Sequence, residues 1–474
     1  MVKGEVITLQ LGSFSNFVAS HLWNLQSQCF YYSKDAPFGH EFDHDVYYRE
    51  GRSFLNKTTF TPRTVLIDLK GSVRNCSWPV DQAYDGPNDD EQKVWDGQVQ
   101  IHKAEPQAAS SKSEELGEVD VRPKKAPLQK NSWAGYLQNK YHPKSVTINN
   151  DFDSDNPQQP FGVFNQGETL WRLESENFED RVRWFAEDCD HLSAFNIMMD
   201  TSNGFSGFAS SCLDYLDDQF RAKSRVVWSL SDVPANDSAA NYRALNTVLA
   251  YQKMQELADV VLPLSVSADG LRRHLRSSSL VALDPSPFTG GAALAMHVDS
   301  ILSSLKLKSE GGCDFVNFLR LMTIPDRKFV VSSMAASPLS KDGRLEDLSP
   351  KCDSSKMATS AYAVSRGTET SHAIIVRISN TSAASTFHTM VRHPTKFCQD
   401  YFPEISSQSM RSVKGSQLVD GLFVVKNSAD VVAHFDDLRR RRVNLGKMHR
   451  ISLPEGDVTE AIQNVASLRE NYLK

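Results

Sequence analysis

Val6-Ile7-Thr8-Leu9-Gln10-Leu11-Gly12-Ser13-Phe14-Ser15-Asn16 is the stretch that decides the fold. Val6–Leu11 is rich in β-formers and predicts a strand. Gly12 to Asn16 is a Gly/Ser/Asn turn. After it, Phe17, Val18, His21, Leu22 and Leu25 recur at helical spacing and predict a helix with one apolar side. Further on, Thr64-Val65-Leu66-Ile67 closes on Asp68, and its unbroken apolar run predicts a strand covered on both faces. Strand, glycine turn, helix, strand is the grammar of a doubly wound α/β fold. A glycine in such a turn lets backbone approach a ligand, and the amides opening the helix can hold an anion.

The same grammar continues outward. Val46-Tyr47-Tyr48 predicts a strand, and Glu179–Cys189 a helix. Phe195–Met199 predicts a strand, Asn203–Gly207 a turn, and the residues to Phe220 a helix. Val226–Leu230 predicts a strand and Asn241–Ala258 a long helix. From about Gly270 strand-like runs (Lys328–Ser332, Ala373–Ile378, Gly421–Val425) mix with helices, closing on Ala429–Arg442 and Val458–Tyr472. Residues 79–160 differ in composition: prolines alternate with Asn88-Asp89-Asp90-Glu91, Glu114-Glu115 and Lys124-Lys125. They predict a largely disordered insertion, with one ordered piece around Trp133–Tyr136.

The chain has 474 residues, room for two or three domains. Its 52 Lys+Arg against 58 Asp+Glu give a net charge of -6, which argues against nucleic acid as a partner. No apolar run approaches the ~20 residues of a bilayer span, so no transmembrane segment is expected. The 7 cysteines include no C-x-x-C pair, which disfavours a structural zinc site and a secreted disulfide scaffold. A reducing compartment is expected. Neither a signal peptide nor an Arg-rich presequence is read at the start, where the first arginine is Arg49.

Several motifs, in one order, resemble tubulin. Gln10, Gly12 and Asn16 match Q-A-G-Q-C-G-N, Val46-Tyr47-Tyr48 looks like the V-Y-Y strand, and Pro62–Leu69 is similar to P-R-A-V-L-V-D-L. Cys189–Phe195 resembles C-D-C-L-Q-G-F, and Pro325–Pro338 is similar to the P-x-P-R-x-H-F stretch. Within the tubulin/FtsZ superfamily the chain is most similar to the Misato family. That likeness rests on Leu9–Val18 with Trp23-Asn24-Leu25-Gln26, the long polar insertion, Phe164–Glu168 and Asp200–Gly207. The resemblance implies a nucleotide-binding-type domain over residues 1–258, with Asn241–Ala258 as the long connecting helix. A smaller α/β domain with C-terminal helices would fill residues 259–474. It further implies a role in mitochondrial distribution and morphology, in the cytoplasm and peripherally at the mitochondrial outer membrane. Tubulin and the cytosolic chaperonin are the implied candidate partners.

The superfamily implies GTP as candidate cofactor, held by Gly12, Asn16, Asp68, Gly204, Ser206 and Gly207. Three parts of that site depart from the pattern. Tubulins wrap phosphates with G-G-G-T-G-S-G, whereas Thr201–Gly207 keeps only the final Ser-Gly and puts Phe205 at a glycine position. Lys70 stands where tubulins carry an acid that organises magnesium. Val261-Leu262-Pro263 replaces the polar I-D-N run. A degenerate site without catalytic residues is therefore expected, and the chain is read as a non-enzyme working through protein contacts. A GTP-hydrolysing switch or polymer is the alternative.

Three other patterns carry less. His40-Glu41-Phe42-Asp43-His44 fits H-E-x-x-H, but Pro37 and Gly39 place it in a loop, where two histidines share no helical face. Gly204–Phe208 misses the G-x-S-x-G elbow at Phe208. Arg439–Arg442 ends a predicted helix, where cations suit the helix dipole; a patch for anionic lipid, acidic tubulin tails or nuclear import is the other reading.

Overall fold

A computed structural model describes residues 3–27, 30, 42–52, 58–73, 131–154, 156, 158, 160–232, 240–267, 270, 286–306, 308, 314–322, 326–337, 360–366, 374–375, 377–378, 386–387, 420–426, 429–440 and 455–473. Strand β1 (Glu5–Leu11) leads into helix α1 (Ser13–Ser27) through Gly12. The hairpin β2 (Tyr48–Arg52) and β3 (Thr58–Pro62) precedes β4 (Thr64–Lys70) and β5 (Val146–Asp153). Then α2 (Phe164–Glu187), β6 (Leu192–Asp200), α3 (Phe205–Gln219), β7 (Ser224–Ser231), α4 (Ala240–Leu257) and β8 (Val260–Ser265) alternate regularly. One six-stranded sheet results, in the order β5-β4-β1-β6-β7-β8. Every pairing in it is parallel.

The strands divide their side chains between two cores, as period-2 geometry requires. Val6, Leu66, Met198, Trp228 and Leu262 face α1 and α5 (Pro287–Leu305). Ile7, Leu9, Ile67, Ile197 and Val227 face α2, α3 and α4. Continuous burial on both faces explains why β1 and β4 read as unbroken apolar runs. The polar exceptions hydrogen-bond to one another. Gln10 Nε2 donates to Thr64 Oγ1 at 2.7 Å. Asn196 Nδ2 donates to Thr8 Oγ1, and Trp228 Nε1 to Asn196 Oδ1.

Beyond this sheet, α6 (Phe315–Met322), β9 (Val331–Ser337), β10 (Ser360–Arg366), the short β11 (Ile374–Ile375), β12 (Arg377–Ile378) and β13 (Thr386–Phe387), and β14 (Asp420–Lys426) follow. A four-stranded sheet runs β12-β10-β14-β9, antiparallel throughout. Helices α7 (Ala429–Arg440) and α8 (Glu455–Asn471) carry Val431, Phe435, Val465 and Leu468 into the core shared with α4. Tyr472 Oη donates to Phe329 O and accepts from Phe329 N, both at 2.8 Å.

Four features differ from the sequence reading. The boundary read at residue 258 falls inside the main sheet, because β8 is its sixth strand. Accordingly α4, read as the connecting helix, is a crossover between β7 and β8, and the first long described helix after the sheet is α5. Residues 131–153, read within the polar insertion, belong to the sheet region. Val146–Asp153 is its edge strand, and Ser132 Oγ bonds Ser72 O across 60 residues. An edge strand is half exposed, so its composition (Asn150, Asp151, Asp153) resembles a linker's. Finally, His44–Val46 forms a 3-10 turn, and the strand starts only at Tyr48.

Candidate functional site

Gly12 and Asp68 lie at one edge of the parallel sheet with the turn after β6, where doubly wound folds bind ligands. Register fixes this: Leu11 pairs with Ile67 on one side and Met199 on the other. Gly12 has φ +121°, a conformation side chains avoid, and a Cβ there would come within 2.5 Å of the Asp200 carboxyl.

Of the six predicted site residues, the structure brings Gly12, Asn16 and Asp68 together. Asp68 is fully buried and accepts from Ser13 Oγ (2.5 Å), Leu69 N (2.8 Å), Asn16 Nδ2 (3.0 Å) and Trp133 Nε1 (2.8 Å). A carboxylate offers about four acceptor positions. Two donors on each oxygen therefore fill this one, leaving none for a metal or a magnesium-bound water. Burial pushes its pKa up, against the pull of those hydrogen bonds.

Gly204, Ser206 and Gly207 serve a different contact. A Cβ on Gly207 would lie 2.0 Å from Phe164 O, and one on Gly167 lies 1.8 Å from Gly204 O. These glycines let α2 and α3 cross backbone to backbone. Phe161 covers Gly204, and Phe205 packs edge-on to it at 5.0 Å between centroids. The Phe205 ring thus points into the core. Buried Ser206 donates its hydroxyl to Asn203 O at 2.7 Å. The turn's amides are likewise engaged inside the chain. Thr201 N bonds Leu230 O, Gly204 N bonds Phe161 O, Ser206 N bonds Asn203 O and Gly207 N bonds Gly204 O. Phe205 N is taken by Asn203 Oδ1 at 2.9 Å.

Sequence reasoning passed over Asp200, the residue nearest Gly12. It ends β6, is 1% exposed, and accepts from Phe14 N (3.0 Å), Ser15 N (2.7 Å), Ser15 Oγ (2.6 Å) and Asn203 Nδ2 (3.2 Å). Burial, then the charge of Asp232, pushes its pKa up to about 7 against those donors. The available signal was its place as the first polar residue after Phe195–Met199. Also missed was Asn246 on α4, which donates to Gly162 O and Ser202 O and accepts from Phe164 N, tying the start of α2 to this turn.

Lys70 is exposed at the end of β4, and Val261 to Pro263 lie buried or in ladder pairing within β8. A polar cleft of about 50 Å³ between β7, β8, α4 and α7 is lined by Ser229, Ser265, Tyr251 and His434, room for a few waters. Among the described residues no group of three His, Cys, Asp or Glu could hold a metal. His40 and Glu41 lie outside the described residues, as do Arg441 and Arg442. His44 is buried and stacks on Phe30 at 4.1 Å. Arg439 and Arg440 occupy the last turn of α7. No described helix is long and apolar enough to cross a membrane.

The family model described as Misato Segment II tubulin-like domain matches residues 4–118, and that described as Tubulin domain matches residues 122–289. The chain belongs to the Misato family. Its relatives include "Protein misato homolog 1" of Danio rerio, 28% identical over 64% of this chain and 59% of the relative. "Protein misato" of Drosophila melanogaster is 27% identical over 70% and 64%, and "Protein misato homolog 1" of Homo sapiens 30% over 64% and 60%. The chain thus spans less than two thirds of the length of these Misato relatives. The fold is accordingly tubulin-like.

Proposed function

We propose that this protein is a non-catalytic tubulin-like protein acting in mitochondrial distribution and morphology through protein contacts. It would work in the cytoplasm and peripherally at the mitochondrial outer membrane. The observation that carries the non-catalytic part is the internal engagement of the Thr201–Gly207 turn. A phosphate cradle needs free amides converging on one point, and five amides of this turn already have acceptors within the chain. Asp68, filled by four donors, offers no position for magnesium. The mitochondrial part rests on the family resemblance, and the tubulin-like architecture supports assembly with tubulin or folding by the cytosolic chaperonin as the contacts to examine first.

Nucleotide content and GTP turnover of the purified protein, with tubulin measured alongside, test the reading. No bound guanine nucleotide and no phosphate release above background are expected. Turnover comparable to tubulin's would overturn it in favour of the alternative, a GTP-hydrolysing switch or polymer.

A further inference from the structure

The amides that open α1 already hold an anion. Asn16 N bonds Gly12 O, so Gly12 is the residue from which a helix N-cap side chain would come. Glycine has none. In its place the Asp200 carboxylate, 185–186 residues further along the chain, sits over the second and third amides of the helix with one oxygen on each. Ser15 Oγ and Asn203 Nδ2 complete its shell, at 2.6 and 3.2 Å. The carboxyl carbon lies 2.5 Å from where a Gly12 Cβ would stand. Only glycine, then, leaves room for it. Two consecutive amides, a positive-φ glycine and a helix dipole are the parts with which doubly wound folds hold an external phosphate.

We propose that Asp200 is the resident anion of the α1 N-terminus, occupying from within the chain the position such a fold offers to a phosphate, and so holding that site closed. A tethered group competes at high effective concentration and never dissociates into bulk. The turn is thereby complete without any ligand. The inference goes beyond the proposed function, since it concerns why the edge is closed, whichever partner the protein meets.

Anion rescue at about pH 8.5, where the Asp200 carboxyl is ionised, tests it. Asp200→Ala vacates the site and strands two buried amides, lowering the melting temperature by about 4–8 °C. Excess inorganic phosphate should restore part of that loss, and chloride at equal ionic strength none. The wild type and Asp200→Asn, in which a side chain still fills the site, should not respond to phosphate. No phosphate-dependent recovery in Asp200→Ala, or an equal response in the wild type, overturns the proposal. Should Asp200→Ala fail to fold, hydrogen exchange on the wild type decides. The Phe14 and Ser15 amides have no helical acceptor, so exchange as slow as the interior of α1 supports the proposal, and free-amide rates overturn it. GTP turnover by the wild type would overturn the proposed function and the closed site together, whereas failed anion rescue without turnover would overturn only this proposal, so the two failures are distinguishable.

Discussion

Two glycine-bearing turns leave adjacent strands at the same sheet edge, and their glycines make room for different things. Gly12, after β1, makes room for a carboxylate; Gly207, after β6, makes room for another helix's backbone. Both kinds of close approach leave the same mark in a sequence, and a bound phosphate would leave it too. A glycine in a strand-to-helix turn therefore reports that something comes near, without saying what. The identity of the neighbour has to be read from the residues facing the glycine: Asp200 in one case, Phe164 and Gly167 in the other.

The comparison breaks most visibly if Gly207 tolerates a side chain. Gly207→Val puts carbon 2.0 Å from Phe164 O, a backbone atom that cannot rotate away. Separating α2 from α3 should cost about 4 kcal/mol or more in chemical denaturation. A cost under about 1 kcal/mol would mean the crossing is loose. Next comes the carboxylate side. Asp68→Ala removes the buried acceptor shared by Ser13 Oγ, Asn16 Nδ2, Leu69 N and Trp133 Nε1, an expected loss of about 2–4 kcal/mol by the same measurement.

Titration sharpens the contrast further. The folded chain holds Asp200 with a pKa of about 7 against the ordinary 3.8, so across that window it keeps a proton the unfolded chain has released. Stability should therefore fall as pH rises through the window, by about 3–5 kcal/mol, and level off above it. Asp200→Asn should flatten most of that slope in urea melts collected by pH. Asp68 is shifted in the same direction and adds to the slope that survives in Asp200→Asn. The smallest expected effect is at Lys70. Exposed at the strand end, Lys70→Glu should change stability by less than about 0.5 kcal/mol. It should also create no magnesium-dependent GTP binding by calorimetry, because restoring an acid there does not free the filled Asp68.

Much of this edge was legible beforehand. The unbroken runs Val6–Leu11 and Thr64–Leu69 announced central parallel strands because both faces of those strands are covered. Gly12 and Asp68 were legible because each follows directly from such a run. Asp200 follows a similar run, yet its role depends on a register pairing with a strand some 190 residues away, which no local pattern encodes. Gly167 was hidden inside a helix, where a glycine reads only as a weak former. Edge strand β5 was lost because its exposed face needs polar residues, and polar composition was what marked the insertion. The boundary at 258 failed for a related reason. α4 is long and mostly polar on its open side, and nothing in its own residues tells a crossover from a connector.

The hydrogen bond from Ser132 Oγ to Ser72 O has a consequence in polymer terms. It pins the departure and the return of a 60-residue excursion to neighbouring points on the sheet edge. The entropic cost of holding two chain positions together grows only logarithmically with the residues between them, so doubling that number costs about 0.6 kcal/mol. Homologous chains can thus differ by dozens of residues there while the six strands keep their register. Large length differences between relatives at this one place would then carry almost no thermodynamic signal, leaving that stretch free to diversify in sequence and size while the sheet beneath it stays fixed.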